Sequence, residues 1–216
     1  MPTTLTARAA LLDMDGTLVD STDVVERLWL EWAEPHGLDR ETVLQTVHGR
    51  QGWQSMSILL PERDHSINIE ENQQLLVRES TETDGVVAIP GAAALLSALQ
   101  PLPHAIVTSA NIALMTARMG AAGLPLPELT ITAESVTNSK PDPEGFLLAA
   151  STLGFDPADC VVFEDSGAGI RAGIDAGMTV IGVGPHAPVF GPTHHVDDLT
   201  QIEIVPSGDG FEVRIS

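Results

Sequence analysis

Five short apolar runs punctuate this sequence, at residues 9–13, 105–108, 129–132, 161–163 and 179–183. Between them lie segments with helical periodicity: PGAAALLSALQ, NIALMTARMGAAG, PDPEGFLLAASTLG and GAGIRAGIDAGM. Proline or small polar residues open these segments and glycine often closes them, as helix termini require. Strands alternating with helices in this way imply an α/β fold, a parallel sheet covered by helices on both faces.

Residues 21–86 break the rhythm. Val24, Val25, Leu28, Trp29 and Trp32 recur at helical spacing, as do Val43, Leu44 and Val47, and WQSMSILL and ENQQLLVRES follow without a convincing strand. The reading is a helical insertion at 21–86 within a core made of 1–20 and 87–216, with the tryptophans packed in the insertion's interior. The tail, IEIVPSGDGFEVRIS, has two alternating runs about a Pro-Ser-Gly-Asp-Gly turn and is expected to form a terminal β-hairpin.

At 216 residues the chain is long enough for one full core plus a modest additional module. Its formal net charge of −20 disfavours nucleic acid and anionic membrane surfaces as partners. No apolar stretch approaches the roughly 18 residues of a membrane span. The start, MPTTLTARAALLDMD, lacks the basic segment, long apolar run and cleavage site of a secretory signal, so a cytoplasmic location is expected. Cys160, the single cysteine, is expected to pack as a small buried hydrophobe. The strong negative charge also repels phosphorylated small molecules at long range, so any phosphate site needs locally concentrated positive charge. Basic side chains are scarce: nine are arginines, and Lys140 is the only lysine.

In an open parallel sheet, ligands bind beyond the carboxyl ends of the strands. Four predicted strand ends carry polar groups: Asp13 and Asp15 after the first, Thr108 and Ser109 after the second, Lys140 after the third, Glu164 and Asp165 after the fourth. Singly, each has an ordinary explanation as a turn, a cap or a helix start. Together they converge on one sheet edge. Clustered carboxylates without partners repel one another, so a cation is expected among them, and hard oxygen ligands with room for water suit Mg²⁺.

This set resembles the haloacid dehalogenase superfamily, in particular its phosphatases. Asp13-Met14-Asp15-Gly16-Thr17 matches the family's DxDGT motif, Thr108 with Ser109 its strand-ending Ser or Thr, Lys140 its lysine before proline, and Glu164-Asp165 its acidic pair. The order is right and the match runs over nearly the whole chain. The resemblance implies a Rossmann-like core and Mg²⁺-dependent hydrolysis of phosphate monoesters. Asp13 would be the nucleophile that becomes an aspartyl phosphate. Asp15 would protonate the leaving alkoxide as general acid and then deprotonate the attacking water. Mg²⁺ would be held by the Asp13 carboxylate, the Asp15 backbone carbonyl and Asp165, with Thr17 and Glu164 one layer behind. Thr108, Ser109 and Lys140 would bind the phosphate.

An insertion directly after the first motif corresponds to the family's C1-type helical cap, a lid that excludes water and selects the substrate. The stretch VHGRQGWQSM makes His48, Arg50 and Gln54 the candidates for substrate contact. With DGVVAIPGAAALLSAL, it is similar to the branch of glycerol-3-phosphatases, 2-deoxyglucose-6-phosphatases and bacterial sugar phosphatases, so the expected substrate is a small phosphorylated sugar or polyol. The family's β-phosphoglucomutases carry a cap histidine twelve positions after the nucleophile; Val25 stands there, which argues against a mutase. A non-catalytic phosphometabolite binder on this fold would have lost a catalytic residue, and none is missing. GAGIRAG, whose glycines are not spaced as GxGxxG, is read as close packing of a helix on the sheet. The pair His194-His195, with His186 upstream, is read as surface loop rather than metal site.

Overall fold

In the computed structural model, which describes residues 3–216, β1 (Thr3–Ala7) turns at once into β2 (Ala9–Leu12), a strand buried at every position. β3 (Val19–Asp20) then leads to four helices: α1 (Thr22–Ala33), α2 (Arg40–Thr46), α3 (Gly52–Leu59) and α4 (His65–Thr81). β4 (Val87–Ala88) returns the chain to a regular alternation of α5 (Ala92–Leu99), β5 (His104–Val107), α6 (Ile112–Ala121), β6 (Leu129–Ile131), α7 (Glu144–Leu153), β7 (Cys160–Glu164), α8 (Gly167–Asp175) and β8 (Thr179–Val183). The chain ends with β9 (His194–Val196), β10 (Ile202–Ser207) and β11 (Gly210–Ile215).

The main sheet has six parallel strands in the order β6-β5-β2-β7-β8-β9, with β2 near its centre. Alternate strand residues feed two separate cores, as the two-residue repeat of a strand dictates. Leu12, Ile106, Phe163 and Ile181 face α5 and α6, meeting Leu95, Leu99, Leu114 and Met119. Leu11, Val107, Val162 and Val180 face α7 and α8, meeting Phe146, Ala150 and Ile170. Each fully buried Leu, Ile or Phe contributes about 1.5–3 kcal/mol, which fixes the sheet as the rigid platform on which the strand ends sit. Cys160 is buried at the start of β7, and burial, with Asp159 and Asp156 adding, pushes its thiol up to about 11. It is an inert packing residue.

β3 and β4 pair antiparallel, Val19 opposite Ala88 and Asp20 opposite Val87, so the chain leaves and re-enters the sheet layer through a two-strand neck. Beyond the neck the regular structure is helical. Asp39 caps α2 through Thr42 N and Asp64 caps α4 through Ser66 N. α1 buries Val24, Val25, Leu28, Trp29 and Ala33, an apolar stripe of the expected period. The buried stripe of α4 is different in kind: Asn68, Asn72, Leu75 and Glu79.

Two strands depart from the expectations above. The terminal hairpin β10-β11 forms, but β1 adds to it as a third strand, with Thr3 opposite Ile215 and Ala7 opposite Phe211. His194 and His195 lie not in a loop but in β9, the edge strand beside β8, where His195 Nε2 is 2.9 Å from the Gly184 carbonyl. A three-residue edge strand of half-buried histidines has no apolar alternation to betray it. No helix among the described residues is long and apolar enough to cross a membrane.

Candidate active site

The β2–β7 ladder runs one residue past β2, because Asp13 N–H donates to the Phe163 carbonyl at 3.0 Å. This step sets the Asp13 carboxylate beside Glu164 and Asp165 at the end of β7. The chain then folds back on itself: Gly16 N–H donates to Val19 O, and the N–H groups of Leu18 and Val19 both donate to Met14 O. Gly16 has a φ of +81°, and a Cβ there would overlap the Asp165 carboxylate. Both the backbone and the space therefore require glycine in the turn.

Lys140, 6% exposed, ties the strand ends together. Its Nζ donates to Asp13 Oδ1 at 2.6 Å, Glu164 Oε1 at 2.8 Å and the Val107 carbonyl at 2.9 Å. The other Glu164 oxygen accepts from Ser166 N at 2.7 Å and Ser166 Oγ at 3.0 Å. Glu164 can occupy this place because α8 begins with small residues: a Cβ at Gly169 would overlap its carboxylate. The GAGIRAG segment thus serves close packing, as its spacing implied.

One ammonium serves three acids. Burial alone would pull the Lys140 pKa down, but the charges of Asp13 and Glu164 outweigh it and hold the ammonium above its usual range. Asp13 is pushed up to about 7, by burial first, against the pull of Lys140 and with Glu164 adding to the rise. Asp165 is raised well above the usual carboxylate range by burial, then by Glu164 and Asp13. Carboxylate oxygens of Asp13, Glu164 and Asp165 lie within 4.8 Å of one another. A hard divalent cation fits such a cluster, because it supplies the charge that a single lysine cannot. Glu164 has both oxygens engaged, so Asp13 and Asp165 are the side chains best able to hold it.

The second acid of the motif points elsewhere. Asp15 Oδ1 accepts from Ser21 Oγ at 2.7 Å, and Oδ2 pairs with Arg118 Nη1 at 2.7 Å. Arg118, on α6 and 4% exposed, also lies 3.5 Å from Glu79 Oε2 on α4. Between the sheet edge and the helices α1 and α4 is a cavity of about 110 Å³. Asp13, Asp15, Thr108, Ser109 and Asp165 line its sheet side, while His48, Arg50, Trp29, Asn72 and Glu79 line the helical side, with Arg118 between them.

The residues expected from the sequence are therefore largely brought together, with Gln54 placed differently. Thr108 Oγ1 accepts from Ala110 N at 3.0 Å, and Ser109 Oγ reaches the Gly49 carbonyl at 3.5 Å. His48, whose pKa burial lowers, and Arg50 both reach the cavity. Gln54 does not: its amide oxygen accepts from Ser139 Oγ at 2.8 Å, which makes it a tie between α3 and the loop that carries Lys140. Thr17 is wholly buried, and its hydroxyl has no partner among the described residues. Sequence reasoning missed Arg118 and Glu79. The available signal was a charged residue on an apolar stripe, since Arg118 shares its buried face with Leu114 and Met115, and Glu79 with Leu75.

Comparison with known proteins places this geometry in context. The family model for haloacid dehalogenase-like hydrolases matches residues 7–177. The chain is 44% identical over 208 residues to hexitol phosphatase A of Escherichia coli (strain K12), covering 92% of this chain and 95% of that protein. It is 31% identical over 235 residues to 2-deoxyglucose-6-phosphate phosphatase 2 of Saccharomyces cerevisiae (strain ATCC 204508 / S288c), covering 95% and 94%. Among solved structures, β-phosphoglucomutase from Clostridium difficile superposes with a TM-score of 0.78 at 22% identity, over 92% of this chain and 94% of that one, a likeness of fold.

Proposed function

The chain belongs to the haloacid dehalogenase-like hydrolase family, and we propose that it is a Mg²⁺-dependent phosphatase of small sugar or polyol phosphate monoesters, acting through an aspartyl phosphate on Asp13. The observation that carries this reading is the Lys140 ammonium, which bridges Asp13 and Glu164 beside Asp165, at a cavity that also presents the separately anchored Asp15.

Lys140 favours the ionised form of Asp13 and fixes one of its oxygens, leaving the other to attack phosphorus. As the new P–O bond forms, the ester bond breaks, and Asp15 gives its proton to the departing alkoxide oxygen. Asp15 then takes a proton from the water that attacks the phosphorus of the aspartyl phosphate, which restores Asp13 and releases phosphate. Ser21 and Arg118 hold Asp15 in one orientation, apart from Lys140, so the two acids play different parts. In this reading Thr108 and Ser109, which line the cavity, donate to the equatorial phosphate oxygens, and Lys140, its three N–H groups held by Asp13, Glu164 and the Val107 carbonyl, favours them through its charge. Mg²⁺ held by Asp13 and Asp165, when bound, neutralises phosphate charge and lets an anionic nucleophile approach an anionic ester.

Residues 21–86 are the lid in this account, closing over the cavity and choosing the substrate through His48 and Arg50. The names of the relatives, a hexitol phosphatase and a 2-deoxyglucose-6-phosphate phosphatase, support a sugar or polyol ester. A mutase reading finds less support: Val25, which lines the cavity, offers no proton-transferring group. The test is phosphate release from glycerol, hexitol, hexose, pentose and nucleoside monophosphates, with Mg²⁺ or chelator, and with Asp13→Asn as the blank. Chelator-sensitive release from sugar or polyol esters that vanishes in Asp13→Asn is the expected result. Exchange between phosphosugar isomers without release would refute the hydrolase in favour of the mutase.

A further inference from the structure

We propose that the inner end of the cavity, formed by Trp29 of α1, Asn72 and Glu79 of α4 and Arg118 of α6, is a subsite for a neutral polyhydroxylated chain or ring, built to exclude esters that carry a second anionic group. This rests on the phosphatase reading above.

Arg118 is the first ground. Its Nη1 is committed to Asp15, but Nε and Nη2 are buried with no hydrogen-bond acceptor among the described residues. Buried donors left unmade are costly, so a guanidinium kept in this wall of the cavity holds unspent hydrogen-bonding capacity there. Glu79 supplies the complementary half: 7% exposed and 3.5 Å from Arg118 Nη2, it presents acceptor oxygens at the same place. A hydroxyl group both donates and accepts, so neighbouring hydroxyls on one carbon chain satisfy the guanidinium and the carboxylate together. A carboxylate or second phosphate only accepts. It would suit Arg118 but would face the buried Glu79 carboxylate at the same place.

The walls agree with this. α4 turns Asn68, Asn72, Leu75 and Glu79 inward, where a helix serving packing alone would show an apolar stripe. Asn68 is occupied with Ser57 Oγ, whereas Asn72 and Glu79 line the cavity. Trp29, 3% exposed, adds an apolar edge to the lining and is held in place edge-on against Trp32 at 5.3 Å. The other guanidinium of the cavity is that of Arg50, next in the chain to Gly49, whose carbonyl meets Ser109.

The experiment compares kcat and KM for a hexitol phosphate, 6-phosphogluconate and p-nitrophenyl phosphate in the wild type, Glu79→Gln and Asn72→Ala, with thermal melts to establish that each variant is folded. The wild type is expected to prefer the hexitol ester over the phosphorylated acid by about 100-fold in kcat/KM. Glu79→Gln should lower kcat/KM for the hexitol ester about tenfold more than for the aryl ester, mainly through KM, and should narrow the gap to the acid. Equal losses on both esters, an unchanged preference in both variants, or a wild type that accepts the acid as readily would overturn the subsite while leaving the phosphatase standing. A wild type that releases phosphate from none of the three would refute the phosphatase reading, and the subsite with it.

Discussion

Replacing Lys140 by alanine removes the ammonium that holds Asp13 and Glu164 together. Lys140 is 6% exposed and Asp13 7%, so solvent does little to screen the charges left behind. Breaking a buried pair by removing one partner costs about 3–5 kcal/mol. The size of the deficit depends on pH. Even with Lys140 beside it, Asp13 is pushed up to about 7 by burial, and without the ammonium it rises further. A carboxyl whose pKa is raised in the folded state binds more protons folded than unfolded, so stability falls as pH climbs through that interval. Between about pH 7 and the variant's higher value, only the variant holds the extra proton, and it loses about 1.4 kcal/mol per pH unit relative to the wild type. Lys140's own contribution is fully present below its unfolded pKa of about 10.4, and so is constant over this range. Urea denaturation in chelator, at about pH 6 and about pH 9, should therefore show a deficit at least about 1.4 kcal/mol larger at the higher pH. A deficit equal at the two pH values, or smaller at the higher one, would refute the account of Lys140 as the counter-charge of a strained carboxylate cluster.

The same cluster makes metal binding pH-linked. Asp13 and Asp165, both raised, must lose protons to hold Mg²⁺, so the thermal shift produced by Mg²⁺ should be larger at about pH 8 than at about pH 5; equal shifts would place the ion elsewhere. Gly169→Ala sets a methyl group into the Glu164 carboxylate and should cost about 1–3 kcal/mol and reduce turnover. Gly120→Ala in α6, where a Cβ meets open space, should instead stabilise by about 0.4–1 kcal/mol, and chemical denaturation of the pair checks both signs.

Much of this architecture was legible because it is local. The runs around Leu11, Ile106, Val162 and Val180 are strands that occupy the interior of the parallel sheet, and their polar ends fall on one edge by topology alone. Asp13, Lys140 and Glu164 could be expected to meet once the strand order was assumed. What escaped depends on distant pairing or on single positions. β1 is held by β11, at the opposite end of the chain, and nothing in TTLTA announces that partner. Arg118 and Glu79 lie in the last turns of α6 and α4, where a charge normally faces water, and only the stripe they share with Leu114 and Leu75 marks them as buried. Gln54 is close in sequence to Arg50 but faces Ser139, because it lies in the first turn of α3 whereas Arg50 precedes that helix, and the direction of a side chain there depends on how the helix docks.

The central claim is a covalent phosphoryl group on Asp13. In a single turnover with a sugar or polyol phosphate and Mg²⁺, quenched within milliseconds, borohydride reduction converts an aspartyl phosphate to homoserine at the position that carried it. Peptide mapping should find homoserine at residue 13 and the untouched acid at Asp15. Reduction at another carboxylate, or none at all while phosphate is released at the normal rate, would contradict the mechanism.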